Sequence, residues 1–334
     1  MKIDVEVASS PAEVPGLARK AEEMGFDCFW VNETKHDAFV QLALAAAGTK
    51  RIGVGSSIAL AFTRSPTTIA YAAWDLQRLA GGRLLLGLGS QVKGHIERRF
   101  GMKWESPASK MKDTVLAVRA VWKSWQEGVP LRHDGRFYKL DLMTPFFSPG
   151  AMEWPKIPVY LATVNEGMAR VAGQVADGAH VHPLHTVKYL REVLRPALDE
   201  GMKKSGRKGE DVTVTASVFS AVGKDRREVV ASREACRGQI AFYASTRTYR
   251  KVMEAHGWGD VCDRLHELSV RGEWDKMPGE VSDDVLAEMV VEGTWDKIGR
   301  LLVEKYRGLV DRVRLYTPFD GGDDWKALAV TARS

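Results

Sequence analysis

Short apolar runs alternate with amphipathic stretches along most of the chain. Residues 3–7 alternate apolar and polar side chains, which predicts a strand with Ile3, Val5 and Val7 on one face and Asp4 and Glu6 on the other. Val14, Leu17, Ala18, Ala21 and Met24 then recur at helical spacing and stop at Gly25. Residues 28–31 form a second apolar run, followed by the Ala-rich stretch 39–48. Residues 51–60 predict a third strand, and Ser65-Pro66 supplies a cap and first helical residue for a helix over 67–79. A fourth strand is predicted over 83–88, and Ser106-Pro107 opens a long helix to about residue 125. The stretch 130–155 breaks the rhythm: His133-Asp134-Gly135-Arg136 lies between β-prone segments and predicts a hairpin in an insertion over about 128–156. Alternation resumes with a fifth strand at 157–162, a helix capped by Asn165, a sixth strand at 179–181 and a helix over 185–204. A seventh strand is expected over 212–222, with a helix from Asp225 onward. Residues 257–281, rich in Gly, Trp and charge, are expected to be an irregular insertion. Thr294 is placed to cap a helix over 295–306, and an eighth strand follows at 312–316.

Eight strand-then-helix units predict an α/β fold, a (β/α)8 TIM barrel with insertions occupying 1–334 as a single domain. A doubly wound nucleotide fold would favour G-x-G-x-x-G after its first strand. That turn here is Ala8-Ser9-Ser10-Pro11, and both Gly53-Val54-Gly55 and Gly87-Leu88-Gly89 lack the third glycine.

Composition adds exclusions rather than an identity. With 45% hydrophobic and 27% charged residues, the chain is neither disordered, collagenous nor a coiled-coil rod. Three scattered cysteines make neither a disulfide framework nor a zinc knuckle, and no signal peptide or membrane span is visible, so a cytoplasmic location is expected. The net charge of +5 permits an anionic ligand, but Lys and Arg are mixed with acids, so no nucleic-acid or membrane partner is indicated.

Barrel enzymes work at the carboxyl ends of their strands. In this chain those ends carry Glu6, Glu33, the small-residue run Gly55-Ser56-Ser57, Gly89-Ser90-Gln91, Ala162-Thr163-Val164, the triplet His180, His182 and His185, and Tyr316. Glu6 points into the predicted barrel, where partial desolvation would let it hold a proton near neutral pH; the competing reading is a solvated or salt-bridged carboxylate. His180 and His182 share a strand face and are the one metal-like constellation, but no acid completes a site, so no metal is expected. Arg64, Lys93, His95 and His182 are candidates for anchoring anionic groups.

The segments GFDCFWVNE (25–33), IGVGSSIALAFTRSP (52–66), GGRLLLGLGSQV (81–92), HDGRFYKL (133–140), IPVYLATVNEGMARVAGQVADGAHV (157–181) and GTWDKIGRLLVEKY (293–306) resemble, in order and spacing, the luciferase-like flavin and deazaflavin oxidoreductases. The branch that uses coenzyme F420 is the most similar. The resemblance implies a cofactor ring across the carboxyl end of the barrel, with a non-prolyl cis peptide at Ser57-Ile58 backing one face. It implies cofactor contacts at Glu33, Ser56, Ser57, Ile58, Gly89, Ser90, Gln91, Ala162, Thr163, Val164, His182 and His185, with the amides of 162–164 and His185 near a phosphate. Sugar-phosphate dehydrogenases of this branch carry Asp-His where this chain has Glu33-Thr34, and a catalytic Glu where it has Val92, so glucose 6-phosphate oxidation is not implied. Glu6 matches an acid of the methylene-tetrahydromethanopterin reductases and is expected to exchange a proton. Glu33 is expected to orient the ring or act as a second acid–base group.

The expected activity is hydride transfer between the deazaflavin C5 of F420 and an organic small-molecule substrate, in a homodimer. Three alternatives stand beside it: an FMN-dependent monooxygenase served by a separate flavin reductase, a non-catalytic barrel subunit, and a hydrolase using a metal at His180 and His182.

Overall fold

The computed structural model describes residues 1–333. Eight parallel strands form the centre: β1 (Val5–Val7), β2 (Cys28–Val31), β3 (Gly53–Ser56), β4 (Leu84–Gly89), β5 (Val159–Thr163), β6 (Gly178–Val181), β7 (Thr213–Val218) and β8 (Arg312–Leu315). Each pairs with the next. The short piece Lys2–Ile3 pairs with β8, while Val5–Val7 pairs with β2. The sheet therefore returns on itself across Asp4, whose amide donates to the Val313 carbonyl at 3.0 Å. This is the (β/α)8 barrel the alternation predicts.

Helices surround the strands: α1 (Val14–Glu23), α2 (Ala38–Gly48), α3 (Pro66–Leu79), α4 (Pro107–Glu127) and α5 (Glu166–Val175) follow β1 to β5 in turn. After β6, the segments Val187–Tyr189, a π-turn Leu190–Leu194 and α6 (Arg195–Lys204) run on without a break. The polar residues that precede helices have a direct job: Asp37 accepts from the amides of Phe39 and Val40, Ser65 from Thr68, and Asn165 from Met168. Thr294 was expected to cap α10 (Trp295–Tyr306) but makes no side-chain capping bond. No helix among the described residues is long and apolar enough to cross a membrane.

Two expectations need correction. The predicted seventh strand does not run on to 222. It leaves the barrel after Val218, and Ser220–Gly223 pairs in parallel with Val291–Thr294 instead. Residues 257–281 are not irregular: α8 (Gly259–Arg271) buries Val261, Cys262 and Leu265 at helical spacing. Between these elements α7 (Arg226–Ala244) and α9 (Asp283–Met289) complete the excursion from β7 to α10. The segment 133–140 forms an antiparallel hairpin, held to α4 by Asp113, which accepts from the amides of Phe137 and Tyr138 and bonds the His133 ring at 2.8 Å.

Alternation of side chains produces two cores. Val5, Val7, Phe29, Val31 and Val54 face the helices, within the main apolar cluster. Cys28, Trp30 and Tyr160 fill the inside of the barrel, with Leu85 against them. Glycine makes that filling possible. A Cβ at Gly55 would lie 2.2 Å from the Trp30 ring, and one at Gly178 would lie 2.2 Å from Tyr160.

Candidate active site

The interior is not apolar throughout, because β1 and β8 close it with two ion pairs stacked along the barrel axis. In the lower one Asp4 takes both Nε and Nη2 of Arg312, at 2.8 and 2.7 Å, and also the Trp30 indole N–H at 2.9 Å. In the upper one Arg314 Nε donates to Glu6 Oε2 at 2.5 Å. The same guanidinium reaches Ser57 Oγ at 2.5 Å and Thr215 Oγ1 at 3.3 Å. Ser217 Oγ also donates to Glu6 Oε2, at 3.2 Å. Glu6 Oε1 accepts no hydrogen bond among the described residues, and Glu6 is 7% exposed. The glutamate that the alternation aims into the barrel is thus there, but it faces a guanidinium rather than an apolar wall.

The third-strand bulge sits beside this pair. The Ser57-Ile58 peptide is cis, as the resemblance implies. The Ser57 amide donates to the Val31 carbonyl, and after the bulge Ala59–Leu60 rejoins β4. Gly89 is where the bulge meets β4: a Cβ there would lie 2.5 Å from Ile58 Cδ1. Ser57, Ile58, Ser90 and Gln91 are half-buried at the mouth, and Gln91 is held at φ 60°. There its carbonyl accepts from Ser90 Oγ and its side chain from the Val92 amide.

Several expected site residues have other tasks. Glu33 gives both oxygens to Arg64, at 2.9 and 2.7 Å, and accepts the Leu60 amide at 2.8 Å. It pins the chain beyond the bulge and is not a free acid–base group. Arg64 is correspondingly committed to Glu33 and Asp37, so it is no anion anchor. Ser56 is fully buried, exchanging hydrogen bonds with the carbonyl and amide of Gly87. Thr163 is likewise buried and donates to the His180 carbonyl at 3.0 Å. Ala162 and Val164 stay half-buried at the head of α5, and Val164 accepts the Tyr189 hydroxyl. Lys93 and His95 are exposed.

The three histidines do not converge, and among the described residues no three His, Cys, Asp or Glu side chains are placed so that they could hold a metal ion. His180 packs edge-on to Trp30 at 4.7 Å, and burial with the nearby Arg314 and Arg312 charges pushes it far below the usual histidine range. Both its ring nitrogens lack hydrogen-bond partners. His185 is buried away from the mouth, bonded to the His182 carbonyl and the Tyr306 hydroxyl, so it is not a basic group for a phosphate. Burial pushes it down to about 4 from 6.5. An unfolded chain therefore takes up a proton near pH 6.5 that the folded ring refuses until about pH 4. Stability should fall as pH drops through that window, by roughly 3 kcal/mol for this group alone. The check is denaturant melts from pH 7 to 4: His185→Gln should flatten the slope, and an unchanged slope refutes the assignment.

His182 lies nearer the surface. The Leu184 amide donates to its Nδ1 at 3.1 Å, and burial pushes the ring down to about 3, so the neutral ring carries its proton on Nε2. It stacks on Tyr249 at 4.5 Å and meets Tyr243 edge-on at 4.8 Å. Tyr243 in turn shares a short hydroxyl–hydroxyl hydrogen bond with Tyr316, which follows β8. Beside this pair lies a cleft of about 310 Å³ lined by Ala235, Gly238, Gln239, Phe242, Tyr243 and Tyr316. Apart from Tyr316, these side chains belong to α7, and sequence reasoning had no signal for bringing them to β8.

An ion-paired carboxylate, a cis-peptide bulge and an aromatic cleft thus gather at the carboxyl ends of the strands of a closed parallel barrel, the end at which barrel enzymes carry their chemistry. The chain belongs to the luciferase-like monooxygenase family, whose model matches residues 3–312. An uncharacterized protein of Mycobacterium tuberculosis is 44% identical over 313 residues, covering 94% of this chain and 92% of that one. The 5,10-methylenetetrahydromethanopterin reductase of Archaeoglobus fulgidus is 26% identical, covering 82% and 80%. Among solved structures, the coenzyme F420 dependent tetrahydromethanopterin reductase of Methanopyrus kandleri superposes with a TM-score of 0.78 at 22% identity, covering 99% and 97%.

Proposed function

We propose that this protein is an F420-dependent oxidoreductase that passes a hydride between the deazaflavin and an organic substrate. The observation that carries the proposal is the joint position of Glu6, Arg314 and the Ser57-Ile58 bulge at the barrel mouth. Relatives named as F420-dependent or acting on methylenetetrahydromethanopterin support the cofactor.

The residues present fit such a group. Side chains around the bulge are small: Ser57, Gly89 and Ser90 leave backbone and one isoleucine as a surface for a flat ring. The amides at the head of α5, with the positive end of its dipole, suit a phosphate. Ser57, Ile58, Gly89, Ser90 and Gln91 would hold the ring, and Ala162, Val164 and His182 would line the tail. When bound, F420 supplies the hydride-carrying carbon. Arg314 fixes one oxygen of Glu6, and the unbonded Oε1 holds or releases the proton that accompanies hydride transfer. Arg314 also fixes the Ser57 hydroxyl, so the acid and the bulge keep one mutual geometry.

The test is direct titration. Purified protein should quench F420 fluorescence with a micromolar Kd and bind FMN much more weakly. Micromolar FMN binding with none for F420 overturns the cofactor assignment in favour of the FMN monooxygenase alternative.

A further inference from the structure

We propose that the cleft between α7 and Tyr316 is a subsite for an uncharged, planar carbonyl compound of one or two rings. What happens to the carbonyl there rests on the oxidoreductase proposal above; its binding does not.

Tyr316 and Glu6 belong to one rim. The Tyr316 amide donates to the Val218 carbonyl at the end of β7, and Glu6 accepts from Ser217 on the same strand. The negative charge of Glu6 acts on both tyrosine hydroxyls. The cleft volume of about 310 Å³ stands at the lower end of the roughly 300–1,000 Å³ of small-ligand pockets. Its walls favour a flat guest. Phe242, Tyr243 and Tyr316 offer aromatic surface, and Ala235 and Gly238 offer almost no side chain.

The charge of the guest follows from the lining. None of the six residues is charged. Arg314, the guanidinium on this rim, is committed to Glu6, Ser57 and Thr215. An anion entering the cleft would lose hydration with no cation in the lining to replace it. The tyrosine pair supplies what a neutral acceptor wants. One O–H is spent within the pair, and the other remains to be donated outward. Burial pushes both phenols up, so both stay protonated at neutral pH. A carbonyl oxygen matches one outward O–H, and Gln239 adds an amide beside it. With reduced F420 as hydride donor, a C–H bond forms at the carbonyl carbon and the C=O π pair moves to oxygen. That oxygen takes a proton that Glu6 Oε1 passes on from solvent, so the product is the alcohol, the deazaflavin is oxidised and Glu6 ends, as it began, a carboxylate paired with Arg314.

Acetophenone and benzoate have the same number of non-hydrogen atoms and differ in charge, so they make a matched pair of probes. Equilibrium binding without cofactor should show acetophenone saturating and benzoate at least about tenfold weaker. A Cβ at Gly238 meets no atom within 4 Å and the position is helical, so Gly238→Leu is compatible with the fold and fills the cleft. Gly238→Leu should weaken acetophenone at least about tenfold at unchanged Tm and unchanged F420 affinity. Tyr243→Phe/Tyr316→Phe, which removes both hydroxyls, should weaken it roughly two- to tenfold, the worth of one hydrogen bond. Equal or tighter benzoate binding, acetophenone binding untouched by Gly238→Leu, or no saturable acetophenone binding up to about 10 mM overturns the proposal. Failure of the wild-type protein to bind F420, with the probe results intact, overturns the oxidoreductase proposal and leaves this subsite standing.

Discussion

Glu6→Gln leaves F420 affinity unchanged and lowers turnover by roughly 10²–10⁴-fold, the range over which a positioned acid or base contributes. The amide is isosteric, and its oxygen can still accept from Arg314 and Ser217, so the rim geometry survives. What it cannot do is carry the proton that Oε1 exchanges. Glu6→Ala is the wrong test, because it strands a buried guanidinium and confounds chemistry with stability. Steady-state turnover beside F420 fluorescence titration decides the matter. Turnover within about threefold of wild type with intact F420 binding would remove Glu6 from the mechanism, since even a weak general acid contributes far more.

Asp4→Ala destabilises the protein by roughly 3–5 kcal/mol, because the Arg312 charge and the Trp30 indole N–H are left inside the barrel without their partner. Denaturant melts read the loss directly. The double variant Asp4→Ala/Arg312→Met should recover much of it, because removing both charges ends the desolvation penalty that a single removal exposes. If the double variant is as unstable as Asp4→Ala alone, the loss comes from lost packing and not from the stranded charge.

The barrel was legible because parallel strands buried on both faces write themselves as apolar runs, and because helix caps such as Asp37, Ser65 and Asn165 mark the returns. The acids on β1 were legible for the same periodic reason. Their partners had a signal too: Arg312-Val313-Arg314-Leu315 alternates in the same way, and in a closed barrel the last strand lies beside the first. That pairing bears on Glu6 directly, since it decides between an apolar and a cationic neighbour. Local sequence could not say that Glu33 spends its charge on Arg64, which is a matter of side-chain reach across 31 positions. Nor could it tell a functional histidine from a buried one: His182 and His185 share a short loop, but only the Tyr306 hydroxyl, 121 positions away, reveals that His185 faces inward. The helix Gly259–Arg271 was missed because its apolar stripe of Val261, Leu265 and Leu268 is diluted by charges that pair on the surface, among them Arg264 with Asp260 and Glu280.

The seam between β1 and β8 has a consequence for biosynthesis. Asp4 and Arg312 stand 308 positions apart, as do Glu6 and Arg314, so the ring cannot be locked until all the chain between them has left the ribosome. Until then a growing sheet would present two open flanks, one bearing bare carboxylates at Asp4 and Glu6. Naked strand flanks are the places where chains join one another by mistake, and charge on such a flank is among the devices that discourage it. The acids that finish as half of a clasp would thus serve, through translation, as guards on the unfinished side.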